Sequence, residues 1–486
     1  MPNRLTATFA VAVLTCALAT SAHAVLKISS SRTRGVTCSG GICTPTIGNA
    51  NLNTGELQTM LASSDVTVKS NATAADIGVI DPLTWASNHH LTLHAKQSIH
   101  VRAPVVVEGT GGVTFITHPR TGGDYAFDTT TSGSLTFWDT SSSLIINGAS
   151  FTLVKDIATL SGDVAANPSG KYALAGNYDA SADGPYERAP VNVKFRGTFE
   201  GLGNAISNLT INAPTTGLIG LFSYVRRGGV LRDISLKNVS LYQGDTSFAY
   251  VGGLAGLVED ATVSQASVSG SISAGVGFIG GLIGFAAGTG RNVISHSHAA
   301  VSVKAGLNSY AGGLIGVLVG ETTGSWATGS VSIGLSEGLD PPASAGGLVG
   351  YALAGQSSGS AITNSYATGA VSGKSGTRTG GFVGLSLGTV LISTSYASGP
   401  VHAGHMGARG GFAGYINVVD EADDYWDITT SGLRKGVGNY GNIDGITGLT
   451  DAQLKSALPA GFDLNVWGQS ASINNGWPYL LANPPQ

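Results

Sequence analysis

The sequence predicts an all-β chain wound as a right-handed parallel β-helix, a solenoid finished by a small irregular C-terminal cap. Three observations carry that prediction. A phrase of Gly-Gly, an apolar residue, a small or apolar residue and Gly begins at Gly252, Gly280, Gly312, Gly346, Gly380 and Gly410. Its spacing of about 30 residues is one at which each repeat is a structural unit stacked on the next. A second phrase recurs between copies: Ile362-Thr363-Asn364-Ser365-Tyr366-Ala367-Thr368-Gly369 matches Ile392-Ser393-Thr394-Ser395-Tyr396-Ala397-Ser398-Gly399, and Ser325-Trp326-Ala327-Thr328-Gly329 follows the same template. These runs are short, rich in Ile, Val, Thr and Tyr, and punctuated by Gly, which suits strands rather than helices. The right hand rests on the general preference of parallel crossovers.

The elements follow in order. Residues 1–24 read as a signal peptide: Arg4 opens it, Leu5 to Thr20 form an apolar stretch, and Ala22-His23-Ala24 is a cleavage site, so the mature chain begins at Val25. Export through such a segment predicts a secreted or cell-surface protein. In residues 25–50, Cys38 and Cys43 form a close pair, which in an exported chain reads as a disulfide closing a small loop. Residues 51–215 read as early rungs, strand after strand, with Leu91-Thr92-Leu93-His94 and Val113-Thr114-Phe115-Ile116 alternating apolar and polar. Residues 216–415 hold the glycine phrase. The turns are read as lacking Asn-Gly and Asp-Gly at two-residue hairpin positions, which predicts in-register parallel stacking instead of hairpins. Gly-Gly then serves corners that need positive φ or close backbone approach. Residues 416–486 form the cap, with a short helix after Thr450 as N-cap over Asp451 to Lys455. There Phe462, Trp467, Trp477 and Leu480 are expected to plug the open end against edge pairing.

The linked pair of phrases resembles the GLUG motif of adhesin and haemagglutinin-like bacterial surface proteins, over Gly217 to Gly414. Leu52 to Gly55 and Leu91 to Ala95 are similar to phrases of filamentous-haemagglutinin-type proteins. The resemblance implies an adhesin-like protein whose partner is a host or matrix glycan or protein receptor. It also implies an outer-membrane secretion partner. A β-helix carbohydrate-active enzyme (polysaccharide lyase or glycosidase) and a structural matrix component are the alternative readings.

Candidate site residues are few. If the rungs register, Ser267, His298, Trp326, Tyr366 and Tyr396 form one column, and His298, Trp326, Tyr366 and Tyr396 then offer ring faces for stacking on each other, the favoured reading, or for stacking on sugars. Asp420, Glu421, Asp423, Asp424 and Asp427 supply oxygens of the kind calcium takes, in a spacing that matches no EF-hand or nonapeptide loop. His296 and His298 share a strand face without further ligands. No H-E-x-x-H, G-x-S-x-G or Walker pattern occurs, and Glu321, Glu337 and Asp340 are scattered, so binding rather than catalysis is expected, with no cofactor. A net charge of −4 and 11% charged residues leave no basic footprint for nucleic acid.

Overall fold

The computed structural model describes residues 24–244, 247–338, 340–355, 359–417 and 421–485. The signal segment, Ala24 apart, and Asp420 lie outside the described residues. Within them the chain is a parallel β-solenoid whose strands stack into long sheets, the longest of 16, 14, 8 and 7 strands. The glycine phrase does stack like on like: Gly252, Gly280, Gly312, Gly346, Gly380 and Gly410 are successive register partners. Leu254, Leu282, Leu314, Leu348, Phe382 and Phe412 follow as an interior column with no exposed surface. Each such side chain contributes about 2 kcal/mol of apolar burial. Phe382 and Phe412 continue the column as stacked rings, 4.8 Å apart at 15°.

Close approach, not positive φ, explains the glycine pair. A Cβ on Gly347 would lie 2.0 Å from the Gly381 carbonyl oxygen and 2.9 Å from the Ala367 Cβ. The alanine of the second phrase thus faces the glycine of the first across a narrow interior.

A serine ladder runs beside these columns. The hydroxyls of Ser325, Ser365 and Ser395 accept the backbone N–H groups of Ser297, Ser325 and Ser365 at 3.2–3.3 Å. Each also donates to the carbonyl two residues before it, at 2.8–2.9 Å. Every hydroxyl is therefore satisfied in the interior, where an orphan would cost about 1–3 kcal/mol.

Two features of the first half differ from the sequence reading. Residues 51–215 are not strand alone: α1 (Thr54–Leu61) and α2 (Ile157–Ala166) are helices. Asn53 caps α1 by accepting from Glu56 N at 3.1 Å, and Asp156 caps α2 by accepting from Thr159 N at 2.6 Å. The phrase Leu52–Gly55 is thus a strand end and a helix start. Leu57 and Leu61 join the first core, and Ile157, Leu160 and Val164 join the second.

The other difference is a hairpin. Asn147-Gly148 is an Asn-Gly pair, with φ of 49° and 79°, and it turns Ser143–Ile146 back antiparallel on Ala149–Val154. Positive φ at both central residues is what a two-residue hairpin turn demands. The consequence is architectural. Before the hairpin, Leu144 and Ile146 face the first core. After it, Leu153 and Ala173 still face that core, while Val154, Tyr172 and Leu174 face a second core on the other side of the same sheet. Strand direction reverses and the core changes face together. Those two changes amount to a half-turn about the stacking axis, so both coils wind with the same hand.

The C-terminal end is closed by Trp426, Val437 and Ile446, which belong to the second core. α3 (Ile428–Ser431) begins there, capped by Asp427. α4 (Asp451–Ser456) has Thr450 as its N-cap, as the sequence predicts, and the cap is a full capping box with Gln453. No helix among the described residues is long and apolar enough to cross a membrane.

Candidate functional site

The aromatic column forms in register. Ser267, His298, Trp326, Tyr366, Tyr396 and Tyr425 are successive partners along the 14-stranded sheet. His298 lies on Trp326 at 4.1 Å and 4°, Trp326 on Tyr366 at 5.7 Å and 10°, and Tyr366 on Tyr396 at 5.2 Å and 8°.

The column does not face solvent, however. His298 is 9% exposed, Trp326 3%, and Tyr366 and Tyr396 not at all. The chain from α4 onward folds back along the side of the coil and covers them with Leu454, Phe462, Trp467 and Leu480. Of the two readings of the column, stacking on each other holds and stacking on sugars is corrected for a physical reason: the ring faces are taken up by one another and the protein's own C-terminal segment covers their outer edges. So is the expectation that Phe462, Trp467 and Leu480 plug an open end, since they form a lateral strap.

Polar contacts fix the strap. Trp326 Nε1 donates to the Asn483 carbonyl at 2.8 Å, Tyr396 OH to the Pro478 carbonyl at 2.7 Å, and Tyr425 OH to the Ala460 carbonyl at 2.9 Å. Burial holds the His298 imidazole down at about 4, against a weaker upward pull from the Asn483 bond. Burial raises the Tyr366 and Tyr396 phenols well above their ordinary range.

The acidic run also takes up backbone duties. Asp424 occupies the next position of the serine ladder, its Oδ1 accepting from Ser395 N at 2.9 Å, and burial pushes its carboxyl well above the usual carboxylate range. Asp427 accepts from Thr429 N and Thr430 N at 2.8 and 3.1 Å. Glu421 lies in a short strand and Asp423 is exposed. No three His, Cys, Asp or Glu residues among those described form a metal-holding group, so the described calcium candidates do not converge. His296 lies at a corner with φ of 48° and, unlike His298, outside the ladder strand. Cys38 and Cys43 are joined by a disulfide at one end of the first coil.

The surface that remains open is one the sequence reading missed. On either side of the Gly-Gly corner, outward side chains from the 7-stranded and 8-stranded sheets meet, so the corner is re-entrant. Tyr250 stacks on Phe278 at 5.0 Å and 20°. Phe285 reaches both across the corner, at 5.2 and 5.0 Å. Phe248 closes one end edge-on to Phe278 at 5.0 Å and is 50% exposed. Further along the corner closes: Tyr310 meets Tyr351 at 5.0 Å with both only 8% exposed, and the Arg378 guanidinium lies 3.9 Å from the Tyr415 ring centre. A sequence signal was present. Tyr250, Phe278 and Tyr310 stand two residues before Gly-Gly, and Phe285, Tyr351 and Tyr415 stand just after the last glycine of the phrase.

A sealed cluster lies where the two coils meet. Tyr125 OH donates to Glu200 Oε1 at 2.6 Å, and Arg232 packs over the Tyr125 ring at 4.1 Å while pairing with Asp233 at 2.8 Å. Burial raises the Glu200 carboxyl well above its ordinary range and Asp233 to about 6. Glu200 and Asp233 are 1% and 3% exposed, which makes this cluster a joint between coils.

Comparison with known proteins adds the following. The family profile of the GLUG motif matches residues 342–372. Halomucin of Haloquadratum walsbyi is 35% identical over 107 residues, which is 22% of this chain and 1% of halomucin. The chain thus spans about 1% of that relative's length. A Bacteroides ovatus chain provisionally assigned as an immunoglobulin A1 protease is similar at 14% identity and a TM-score of 0.42, over 69% of this chain and 92% of that one. A chain named IgA1 protease is similar at 21% identity and a TM-score of 0.31, over 48% of this chain and 21% of that one. This chain carries the GLUG motif on a parallel β-solenoid.

Proposed function

We propose that the protein is a secreted or cell-surface binding protein of the adhesin-like kind, which holds glycan surfaces through the aromatic re-entrant corner. The observation that carries this reading is the row Phe248, Tyr250, Phe278 and Phe285, whose rings meet outside the sealed core and stay partly open to solvent. Contiguous apolar surface of this kind marks an interaction site more often than a monomer's plain exterior. Aromatic faces also bury large area with little loss of conformational freedom. The GLUG motif at 342–372 and the local likeness to halomucin support a place at the cell surface.

The test is a glycan array probed with the full mature chain and with its Phe278→Ala/Phe285→Ala variant. Selective binding that the double variant loses supports the reading. An array without selective binding, or binding the variant keeps in full, counts against it, and retention by a protein receptor alone would move the reading to a protein partner.

A further inference from the structure

The first coil carries a second, chemically different surface. Three successive corners, residues 69–72, 94–97 and 117–121, follow strands that stack in register. Lys69 and His94 are register partners, the His94 and His118 rings stack at 5.9 Å and 15°, and Thr121 donates to Gln97 Oε1 at 3.1 Å. Lys69, Lys96, His118 and Arg120 are exposed. Lys69, Ser70, Asn71, Ala72, His94, Lys96 and His118 line a shallow depression of about 460 Å³.

The charge here is one-sided. Among the described residues, Lys69, Lys96 and Arg120 make no ion pair. The nearby acids are already engaged: Asp76 is buried and accepts from Ser98 N at 2.9 Å, and Asp124 pairs with Arg232 at 3.3 Å. The His94 imidazole is held below its ordinary range by burial, then by Lys69 and His118, so the cations are felt locally without a compensating carboxylate. His118 Nδ1 lies 3.0 Å from the Ala95 carbonyl, which leaves its Nε2 on the outer side.

We infer that this corner, with Lys69, Lys96 and Arg120 as its cations and His94 and His118 between them, binds an anionic polysaccharide bearing uronate or sulfate groups. The cations are spread over three rungs at a repeat of about 4.8 Å instead of converging on one point, which fits a polymer better than a single small anion. No Phe, Tyr or Trp lines the depression, and the His94 and His118 rings stack on each other, whereas single-stranded nucleic acid is held by basic grooves with open aromatic platforms. The choice of a polysaccharide rests on the proposed surface-binding function; the anion chemistry rests on the corner alone.

The experiment measures binding of the full mature chain to polygalacturonate, dextran sulfate, neutral dextran, a single-stranded DNA oligomer and inorganic phosphate. It is repeated with Lys69→Ala/Lys96→Ala/Arg120→Ala, whose side chains are exposed, and with Phe278→Ala/Phe285→Ala. The expected result is binding to one or both acidic polysaccharides, the two arms separating uronate from sulfate. Neutral dextran does not bind, and the triple variant binds about tenfold more weakly or worse with unchanged thermal unfolding. Equal binding by the triple variant overturns the inference, as does binding of DNA or of phosphate alone as tight as that of the polysaccharides. Loss in the triple variant with a blank glycan array keeps this corner and removes the aromatic-corner reading; array binding that only the Phe variant loses does the reverse.

Discussion

Asn483 grips His298. Its side-chain oxygen lies 3.0 Å from His298 Nδ1, and its amide donates to the carbonyls of Ser297 and Gly324 at 3.3 and 3.0 Å. Its own carbonyl takes the Trp326 indole N–H at 2.8 Å. One residue near the chain's end thus holds two rungs of the ladder; its acceptor oxygen needs a hydrogen on His298 Nδ1, and burial keeps that imidazole neutral.

That burial gives the strap a pH dependence. Above pH 6.5 the imidazole is neutral whether the strap is docked or released, and docking does not vary with pH through this group. Below 6.5 the released form takes a proton that the docked form refuses until about 4. Docking therefore weakens as pH falls across that window, by about 3 kcal/mol at most. Asp424, raised by burial, works in the opposite sense, since its protonated buried form is favoured as pH falls. Hydrogen-exchange protection of residues 458–485, corrected for the intrinsic exchange rate at each pH, is compared at pH 7 and pH 4.5 and separates the two, with lower protection expected at the lower pH. His298→Phe keeps a ring in the stack without the titrating nitrogen and is expected to flatten the difference. Equal protection at both pH values in the unaltered protein would refute the idea.

Trp467 is the strap's main apolar anchor. It is 1% exposed, stacks on Phe462 at 4.4 Å and meets Tyr366 and Tyr396 at 6.2 and 6.0 Å. Trp467→Ala is expected to cost about 3–5 kcal/mol of strap docking. Because each rung of a solenoid leans mainly on its neighbours, the coil itself is expected to stay folded. Limited proteolysis should then trim the chain after α4 and expose Trp326 to fluorescence quenchers. A variant whose C-terminal segment resists protease as well as the parent does would show that the strap is held by other contacts.

What the sequence revealed and what it hid have separate physical causes. The stacking of Gly280 under Gly312, and of Trp326 under Tyr366, was legible because a repeated residue at a repeated position leaves a parallel coil little choice of register. The burial of that ladder was not legible, because it depends on where a non-repeating segment of about 30 residues docks, and Trp467 bears no periodic relation to Tyr366. Asn147-Gly148 was legible in principle, as the strongest short hairpin signal there is, but one such pair inside a long parallel pattern is easily read through. The re-entrant corner lies between: Phe278 and Phe285 flank the glycine phrase at fixed offsets, yet only the fold of the corner brings their rings to 5.0 Å.

The glycine pair makes a sharp prediction because another glycine serves as its control. Gly347→Ala would place a methyl 2.0 Å from the Gly381 carbonyl oxygen and 2.9 Å from the Ala367 Cβ. Neither neighbour can swing away, since both belong to the stacked backbone, and a cost of about 3 kcal/mol or more is expected. Gly162 sits in α2, exposed, with nothing within 4 Å of an added Cβ. There the same substitution is expected to stabilise by about 0.8–1.0 kcal/mol through helix propensity. Thermal unfolding of the two single variants reads the contrast, and two shifts of the same sign would show that close approach is not why the phrase needs glycine.

Arg232 is the residue on which the joint between the coils turns. Its guanidinium meets Asp233 at 2.8 Å, Asp124 at 3.3 Å and Glu200 at 3.8 Å, and it covers the Tyr125 ring. Tyr125 and Asp124 belong to the first coil; Glu200, Arg232 and Asp233 to the second. Removing the cation alone, as in Arg232→Met, leaves Glu200 and Asp233 facing each other in a dry interior, at an expected cost of about 3–5 kcal/mol. Neutralising the acids as well, in Arg232→Met/Glu200→Gln/Asp233→Asn, removes the stranded charges and is expected to recover most of that loss. The single variant should also unfold in two steps, one per coil, where the parent unfolds in one. A triple variant no more stable than the single one would mean that the joint depends on the shape of Arg232 over the Tyr125 ring and not on its charge.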